Sequence, residues 1–366
     1  MRWRDLLFGK PKLVGHWFRA DIRRRRDTDQ LSRRSLVLAA CCLVLALIPP
    51  SPFIASAHLL LSKPPSAGGI NTPPPQAANV GFSTPALIAD FTAANASSLV
   101  NCTIGSTAPS TFYFQGNVGR IMPDRYSCAQ NGVFVNDPAS NKQAFEFKFL
   151  ESQLVHDPSN PTNGTCSFSN GSSLCNGISI STASGDSFTP VGQDFPYSYF
   201  EITFRTVFAG SFPGITDWSF WSWTFANTNV EEIDFNETEA GDTVNDPGGL
   251  GIVDWANAGA FHQLTTINTP DVTYKTLGVL VTGNASVQHL CLYLNNALQG
   301  CNDYTPSADQ GSQRRYIMAE FTGPKCNQQD GNASCWSTGW GEMDQYIQSI
   351  RVFSCSSWQS TMCYTQ

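Results

Sequence analysis

Charged residues and histidine are scarce in this sequence. Of its 366 residues, 14% are charged and five are histidine, whereas 12% are aromatic and 41% are hydrophobic. This composition argues against an intrinsically disordered chain, because there is enough apolar surface to bury in a sizeable core. We therefore expect one large domain or two small ones.

Several motifs are absent as well. The sequence has no Cys-x-x-Cys pair, which argues against a zinc ribbon. No glycine-rich phosphate loop precedes a helix, so nucleotide chemistry has no support. Almost no segment has apolar residues at helical spacing, and no internal repeat is visible. An all-β protein is therefore the favoured fold class.

The first 57 residues differ from the rest and form a predicted export signal. They hold 11 of the 22 Lys and Arg residues, including Arg23–Arg26, and continue into the apolar run Leu36–Ile48 and the small-residue site Ala55–Ala57. The apolar run is too short to span a bilayer comfortably, although an uncleaved anchor stays an alternative. Ser32–Leu36 also resembles a twin-arginine signal. We expect a secreted, cell-surface or periplasmic protein with no membrane partner after cleavage.

Removal of this signal leaves an acidic chain. It has 11 basic and 25 acidic residues, a net charge of −14, which argues against nucleic acid or an anionic membrane as a partner. An uncharged substrate fits better. Cleavage after Ala57 would also make His58 N-terminal, and such a histidine can chelate copper. The second histidine that a copper site needs has no recognisable candidate among His156, His262 and His289.

Ten cysteines follow the signal, an even number at short spacings. This pattern is typical of disulfides formed in an oxidising compartment. Other connectivities stay open, but joining sequence neighbours predicts the pairs Cys102–Cys128, Cys166–Cys175, Cys291–Cys301, Cys326–Cys335 and Cys355–Cys363.

The mature chain is predicted to begin with a proline-rich extended segment over residues 58–79, followed by one β-sandwich domain over residues 80–366. Short β-rich runs separated by Gly, Pro, Asn, Asp and Ser predict two packed antiparallel sheets. The predicted strands are Ala144–Phe149, Gly177–Thr182, Tyr197–Val207, Phe220–Phe225, Glu231–Glu237, Ala260–Thr266, Tyr274–Thr282, Leu290–Leu294, Arg315–Phe321 and Tyr346–Phe353.

One of these strands carries three carboxylates within six residues. In a regular strand Glu232 and Asp234 share a face with Asn236, which leaves Glu237 one residue out of register. A β-bulge at Phe235-Asn236 would bring Glu237 onto the face of the other two acids. The alternative is a solvated acidic edge strand without catalytic function.

The order of motifs resembles glycoside hydrolase family 16, the laminarinase-like β-glucanases and galactanases. Glu232–Glu237 matches the Glu-aliphatic-Asp-x-x-Glu motif of that family, and Tyr197–Ile202 is similar to its Tyr-Gly-Tyr-Phe-Glu strand. Phe220-Trp221, Tyr274–Gly300 and Asp344–Phe353 resemble its later strands in the same order, so the likeness covers roughly residues 140 to 355. It implies a concanavalin A-like jelly-roll sandwich with a concave sugar-binding face.

Two departures from the family pattern concern the substrate more than the reaction. The usual Trp-Pro-Ala-Phe-Trp is here Trp218-Ser219-Phe220-Trp221, without the proline, and Asn236 replaces a common apolar residue.

The resemblance implies a role for each acid. Glu232 is expected to be the nucleophile and Glu237 the general acid/base, with Asp234 bonded to the nucleophile and helping to keep Glu237 protonated. A bulged strand would place the two glutamate Cα atoms roughly 13 Å apart. Inward-leaning side chains would then approach the ~5–5.5 Å carboxyl separation of a retaining enzyme.

The same resemblance suggests substrate-binding residues. Trp218 and Trp221 are expected to stack on sugar rings and His262 to line the cleft, with core packing or an ordinary edge position as the alternative for each. No cofactor or metal is expected for catalysis. Asp344 is a candidate ligand of a structural calcium ion. Arg205 is expected to form an outward-facing salt bridge, with a hydrogen-bond donor in the cleft as the alternative.

These expectations predict an exported, retaining endo-β-glycanase acting as a monomer on a neutral polysaccharide, most simply β-1,3- or β-1,3-1,4-glucan. A non-catalytic, lectin-like carbohydrate-binding protein is the alternative from a different class. A galactan hydrolase and a wall transglycosylase are alternatives that would use the same three acids.

Overall fold

The structure, a computed structural model, describes residues 69–103, 106, 108–115, 127–150, 152, 177–184, 191–208, 215–226, 229–240, 249–254, 260–266, 273–284, 286–304, 314–325 and 341–365. The predicted export signal lies outside these residues. Within them, sixteen strands occur, with short helices at Pro75–Ala78 and Cys128–Asn131 and a 3₁₀ turn at Ala96–Leu99. The strands are β1 (Thr84–Asp90), β2 (Val100–Asn101), β3 (Phe112–Gln115), β4 (Gly132–Asp137), β5 (Lys142–Leu150), β6 (Gly177–Ser181), β7 (Tyr199–Phe208), β8 (Ile215–Ala226), β9 (Asn229–Ala240), β10 (Gly249–Asp254), β11 (Ala260–Thr266), β12 (Lys275–Gly283), β13 (Gln288–Leu294), β14 (Ala297–Tyr304), β15 (Tyr316–Lys325) and β16 (Glu342–Ser354).

The described strands form the two sheets of a jelly-roll sandwich, as the sequence predicts. Sheet A has the order β14-β13-β12-β7-β16-β5-β4, with β1 also paired to β16. Sheet B has the order β11-β10-β9-β8-β15-β6-β3-β2. Neighbouring strands are antiparallel throughout, except for the short parallel pair β2 and β3.

The core lies between the two sheets, and β7 contributes alternate residues to it. In β7, Phe200, Ile202 and Phe204 are buried in the core cluster, while Thr203 between them is only partly buried. β-Branched and aromatic residues suit such half-buried pleated positions. The opposite face of the strand is also largely buried, since Glu201 is 2% exposed and Arg205 is 5% exposed.

The last strand changes face part of the way along. Met343 and Ile347 point into the core at odd positions, whereas Ile350 and Val352 do so at even positions. The pairing of β16 with β7 shifts register between Ile347 and Ser349. The extra residue therefore allows one long strand to keep apolar side chains in the core on both sides of the bulge.

The second half of the predicted extended segment is folded against sheet A. Its helix Pro75–Ala78 buries Ala77 completely. Gln76 donates a hydrogen bond to the Tyr199 hydroxyl at 2.8 Å, and Arg351 donates one to the carbonyl oxygen of Ile70 at 3.0 Å. Residues 69–79 are therefore part of the folded unit, because their polar groups find partners on β7 and β16.

Three of the five predicted disulfides lie in the described residues, and all three are confirmed. They are Cys102–Cys128, Cys291–Cys301 and Cys355–Cys363. The Cys291–Cys301 bridge joins directly opposed residues of β13 and β14. The pairs Cys166–Cys175 and Cys326–Cys335 lie outside the described residues and stay predictions.

Within the part of the chain that the structure describes, no helix has the length and hydrophobicity needed to cross a membrane.

Candidate active site

Strand β8 separates the core from the outer face of sheet B. Phe220 and Ser222 are buried on the inner side. Ser219, Trp221 and Trp223 alternate with them, so these three residues define the outer face of sheet B. The predicted catalytic strand β9 pairs with β8 along its whole length.

The pairing of β9 with β8 aligns the positions of the three predicted catalytic acids with the residues of β8 that define this outer face. Glu232 lies opposite Trp223, Asp234 lies opposite Trp221, and Glu237 lies opposite Ser219. The partners are alternate residues of β8, although the acids are spaced by two and then three residues. One additional residue in β9, Phe235, has no partner in β8, and this register shift accounts for the difference in spacing.

The extra residue is anchored in the core. Phe235 is fully buried, and its ring centroid lies 4.8 Å from that of Phe200 in sheet A and 5.6 Å from that of Phe220 in β8. Ile233, two residues earlier, is also fully buried. The strand thus keeps apolar side chains inward through Phe235 and changes parity only after it. The predicted bulge at this point of the strand is confirmed.

The other predicted site residues differ in where the register places them. Trp221 belongs to the outer face, beside Asp234. Position 218 lies two residues before Phe220 in β8, so by alternation both positions belong to the same side of the sheet. The register therefore does not favour the predicted contact of Trp218 with sugar. The side chains of Glu232, Asp234, Glu237, Trp218 and His262 lie outside the described part of the structure, and their individual roles stay predictions.

His262 lies on β11, two strands away from the acids. Within β10, Val253 pairs with Asp234, whereas the preceding residue, Ile252, pairs with His262. Successive residues of a strand point to opposite faces, so position 262 belongs to the side opposite Asp234. The predicted substrate contact of His262 has no support from this register.

Trp221 is held by an acid that sequence reasoning did not single out. Its indole Nε1–H donates a hydrogen bond to Oε2 of Glu320 at 3.0 Å. Glu320 lies on β15 opposite Ser219, the residue that also faces Glu237. The alternation of Tyr316, Met318 and Glu320 along β15 was available in the sequence. The pairing of β15 with β8 could not be predicted from the sequence, because nearly a hundred residues separate Trp221 from Glu320.

A cluster of mostly aromatic residues lies on the same outer face of sheet B. Trp223 and Met318 are buried against Ala183, with Trp221 and Tyr316 packed at the margin. The ring centroids of Trp223 and Tyr316 lie 4.9 Å apart. Burial raises the pKa of the Tyr316 hydroxyl, so it stays a neutral hydrogen-bonding group at physiological pH. Acids beside aromatic rings are a suitable surface for a neutral sugar, whose apolar ring face can stack on an indole.

Asp344, the candidate calcium ligand, lies on sheet A among other charged residues. It pairs with Lys148 across β5 and β16, and Lys148 Nζ lies 2.9 Å from Glu342 and 3.9 Å from Glu146. The ammonium group therefore lies within ion-pair distance of both glutamates. In the described part of the chain, no three His, Cys, Asp or Glu residues are grouped to hold a metal ion. The surroundings of Asp344 do not fit a calcium site.

The same cluster affects the protonation of Asp344. Burial raises the pKa of this carboxyl to about 8, with repulsion from Glu146 and Glu342 acting in the same direction. The side chain is 5% exposed, and its Oδ1 has no hydrogen-bond partner. Asp344 is therefore a largely protonated acid at neutral pH.

Arg205 forms a salt bridge, as predicted, but the pair is buried and not outward-facing, because both partners lie beneath neighbouring side chains. Its guanidinium group binds the Asp137 carboxylate and lies 4.2 Å from the ring centroid of Tyr346. Asp137 is fully buried, and Tyr274 donates to its Oδ2 at 2.9 Å. This pair lies on sheet A and belongs to the scaffold, not to the face that carries the acids of β9.

No model of a known protein family matches the chain, and no curated protein matches it. Among solved structures, it is similar to a GH16 protein of the Bacteroides ovatus mixed linkage glucan PUL in complex with a product, with 13% identity, a TM-score of 0.47 and coverage of 73% of this chain and 99% of that chain. It is also similar to the immunostimulatory antigen and pseudo β-1,3-glucanase of Mycobacterium tuberculosis, with 12% identity, a TM-score of 0.41 and coverage of 73% and 97%. A third is the Bacillus licheniformis β-glucanase, with 14% identity, a TM-score of 0.34 and coverage of 58% and 78%. These values describe a distant likeness of fold, and we base no functional conclusion on them.

Proposed function

We propose that this chain is an exported, retaining endo-β-glycanase that hydrolyses a neutral polysaccharide, with β-1,3- or β-1,3-1,4-glucan as the first substrates to test. The observation that carries the proposal is the register of β9 against β8. One extra residue, Phe235, brings Glu232, Asp234 and Glu237 opposite Trp223, Trp221 and Ser219 on a single face. Without that residue the third acid would fall on the other face.

The reaction follows from two carboxyl groups on one face. Glu232 attacks the anomeric carbon of the sugar while Glu237, protonated, gives its proton to the departing glycosidic oxygen. The products of this step are a covalent glycosyl-enzyme and a shortened glycan. Water then attacks the same carbon, Glu237 takes its proton, and Glu232 is released as a carboxylate. The two inversions retain the configuration at the anomeric carbon.

Asp234 lies between the two glutamates in sequence and shares their face. A carboxylate so placed can bond to Glu232 and, by repulsion of like charge, help to keep a proton on Glu237. This separation of one ionised and one protonated carboxyl is what the first step requires.

The test is release of reducing ends from laminarin, lichenan, agarose and xyloglucan. Wild-type protein should act on at least one of the first two, and Glu232→Gln should lower kcat by about 10³-fold or more, since an amide cannot form the glycosyl-enzyme. Glu342→Gln, the same chemical change on sheet A, is the matched control and should keep wild-type activity. Binding of a glycan without turnover in the wild type would support the lectin-like alternative instead.

Azide distinguishes the roles of the two glutamates. With an activated aryl glycoside, Glu232→Ala leaves space for azide to attack the anomeric carbon directly, and one inversion gives a product of opposite configuration. Glu237→Ala still forms the glycosyl-enzyme, and azide then releases a product of retained configuration. An interchange of these two outcomes would reverse the assigned roles.

The pH dependence provides an independent check. Because one acid must be ionised and the other protonated, kcat/KM should follow a bell-shaped curve set by the coupled acids. Glu237→Gln should remove the alkaline limb for an activated substrate, whose leaving group needs no proton. A profile that is flat between about pH 4 and 8 for the wild type would contradict the mechanism.

A further inference from the structure

The Cys291–Cys301 disulfide differs in exposure from the other two disulfides in the described part of the chain. Cys128 and Cys363 are buried, with 5% and 3% of their surface exposed, so each of those two bridges has one cysteine in the interior. By contrast, Cys291 is half-buried and Cys301 is exposed. A thiol in solution can therefore approach the Cys291–Cys301 bridge, and exposed disulfides are the ones that exchange most readily with thiols.

The bridge lies on the outer face of sheet A. Leu290 is fully buried in the core, so its neighbours along β13, His289 and Cys291, belong to the opposite face. Cys301 lies directly opposite Cys291 on β14, the last strand in the described order of sheet A. The bridge is thus placed away from the strands that carry the proposed active site, which belong to sheet B.

An imidazole and a carboxylate occupy the neighbouring positions of the same face. His289 and Asp303 are paired across β13 and β14, two residues along from the paired cysteines. Nδ1 of His289 bonds to Oδ1 of Asp303, and both side chains are exposed. An ionised carboxylate can only accept a hydrogen bond, so Nδ1 carries the proton and Nε2 is the ring nitrogen that can exchange a proton with a neighbouring sulfur. Positions two apart in a strand are roughly 7 Å apart, a distance that an imidazole side chain can span.

We propose that Cys291–Cys301 is a redox-active disulfide that reacts with external thiols, and that His289 transfers the proton in this reaction. The incoming sulfur attacks the exposed Sγ of Cys301 and forms a new S–S bond while the Cys291–Cys301 bond breaks. Cys291 leaves with the electron pair, and His289 gives it the proton that the attacking thiol has lost. A second thiol then displaces Cys301, which takes up the proton of that thiol. Two external thiols are thereby oxidised to a disulfide, and the protein disulfide is reduced to two thiols. This inference does not depend on the proposed glycanase function.

The hairpin keeps the two cysteines opposed when the bridge is open. Their Cα atoms lie 4.1 Å apart, and β13 and β14 are joined by the two-residue turn Asn295-Asn296. Both turn residues have positive φ, 51° and 66°, as a type I′ turn requires. The strands are therefore also held together by their backbone pairing and their turn. The two thiols stay arranged to close again, so the reaction is reversible.

The first experiment compares the three disulfides within the intact, folded protein. The protein is treated with reduced glutathione or with reduced thioredoxin, thiols are alkylated after increasing times, and peptide mass spectrometry gives the open fraction of each bridge. With at least one reagent, Cys291–Cys301 should open at least about tenfold faster than Cys102–Cys128 and Cys355–Cys363. Rapid opening by glutathione identifies a small thiol as the reactant, whereas opening by thioredoxin alone identifies a protein dithiol.

The same samples test the direction and the reversibility of the reaction. The mixed disulfide should be found on Cys301, and oxidised glutathione added after removal of the reductant should restore the Cys291–Cys301 peptide. Opening of this bridge no faster than the other two, with either reagent, would overturn the proposal. A mixed disulfide mainly on Cys291 would overturn the assigned direction of attack.

The second experiment tests His289 through the pH dependence of the opening rate. If the imidazole supplies the proton, the rate constant per glutathione thiolate should fall in the wild type as the pH rises from about 6 to about 9. His289→Gln should open about tenfold more slowly at the lower pH and show no such fall. Asp303→Asn, which removes the partner of Nδ1, should also slow the reaction. The Cys355–Cys363 bridge is the internal control and should open at the wild-type rate in both variants. A His289→Gln variant with the wild-type rate and pH profile would overturn the role of His289.

Discussion

The ring centroids of Phe235 and Phe200 lie 4.8 Å apart across the two sheets. Phe235 is the unpaired residue of β9, so the residue that breaks the strand register is also one of those that hold the sheets together. A bulge that had no buried side chain could slip by one residue at little cost, and a slip would move the following acid to the other face. The geometry of the proposed active site therefore depends on a core contact.

We predict that Phe235→Leu impairs activity more than its effect on stability explains. The smaller side chain should lower the free energy of unfolding by about 1–2 kcal/mol, because it loses packing against Phe200 and Phe220. Phe204→Leu makes the same change at a core position of β7 that is not part of the bulge. Urea unfolding should give similar losses for the two variants, whereas kcat/KM should fall only for Phe235→Leu. Equal kcat/KM in both variants would contradict the anchoring role.

Much of this fold could be predicted from local patterns. All ten predicted strands correspond to observed strands, and Ala260–Thr266 has the predicted bounds. The bulge followed from the count of residues between Asp234 and Glu237, because a period of two places them on one face only if one residue is extra. Three pairs of neighbouring cysteines were identified by short spacing alone.

What could not be predicted depends on contacts between distant residues. Strands β1 and β4 lack strong alternation of their own, and they form because they pair with β16 and β5. The Trp221–Glu320 bond and the docking of Gln76 on Tyr199 join residues that are 99 and 123 positions apart.

The buried pair of Asp137 and Arg205 should make a large contribution to stability when it is intact. Arg205→Met leaves a buried carboxylate without its cation, and we expect a loss of about 3–5 kcal/mol in the free energy of unfolding. The double variant Arg205→Met/Asp137→Asn should recover part of that loss, since it removes the unpaired charge. Chemical denaturation at pH 7 measures both, and a double variant less stable than Arg205→Met would contradict this explanation.

The same pair predicts sensitivity to acid. Burial alone would raise the pKa of Asp137, but hydrogen bonds from Arg205, Ser140, Ala139 and Tyr274 outweigh it and lower the pKa from 3.8 to about 2. A carboxyl with a lowered pKa in the folded state stabilises the fold above its ordinary pKa, and this stabilisation is lost as the pH falls through the folded value. The difference in stability between wild type and Asp137→Asn should therefore shrink between pH 4 and pH 2.

The disulfide pairing can be completed by peptide mapping. Non-reducing digestion of exported protein should give five linked pairs, including Cys166–Cys175 and Cys326–Cys335, and a thiol assay of the denatured protein should find no free cysteine after the signal. Short closed loops still restrict the unfolded chain, so loss of one bridge should cost about 2–4 kcal/mol of stability. A linked peptide that joins Cys166 to any residue other than Cys175 would contradict the predicted pairing.

Asp344 should have the opposite pH dependence to Asp137. Burial raises its pKa from 3.8 to about 8, so the folded state binds this proton more tightly than the unfolded state does. The contribution of the Asp344 carboxyl to folding stability is complete below pH 3.8 and is lost as the pH rises toward 8. Asp344→Asn carries no charge at any pH, and its stability relative to wild type should increase over this range by at least about 1.4 kcal/mol, the free energy of one pKa unit.

Urea unfolding at pH 4, 6 and 8 measures this trend for Asp344→Asn. Asp194→Asn makes the same chemical change at a partly exposed carboxylate bonded to Arg314 and serves as the matched control. Addition of calcium provides the further comparison. If Asp344 were a calcium ligand, millimolar calcium would stabilise the wild type and not Asp344→Asn, because a ligand that binds only the folded state shifts its stability by mass action. We expect no such difference, since Lys148 already forms ion pairs with the neighbouring Glu146 and Glu342.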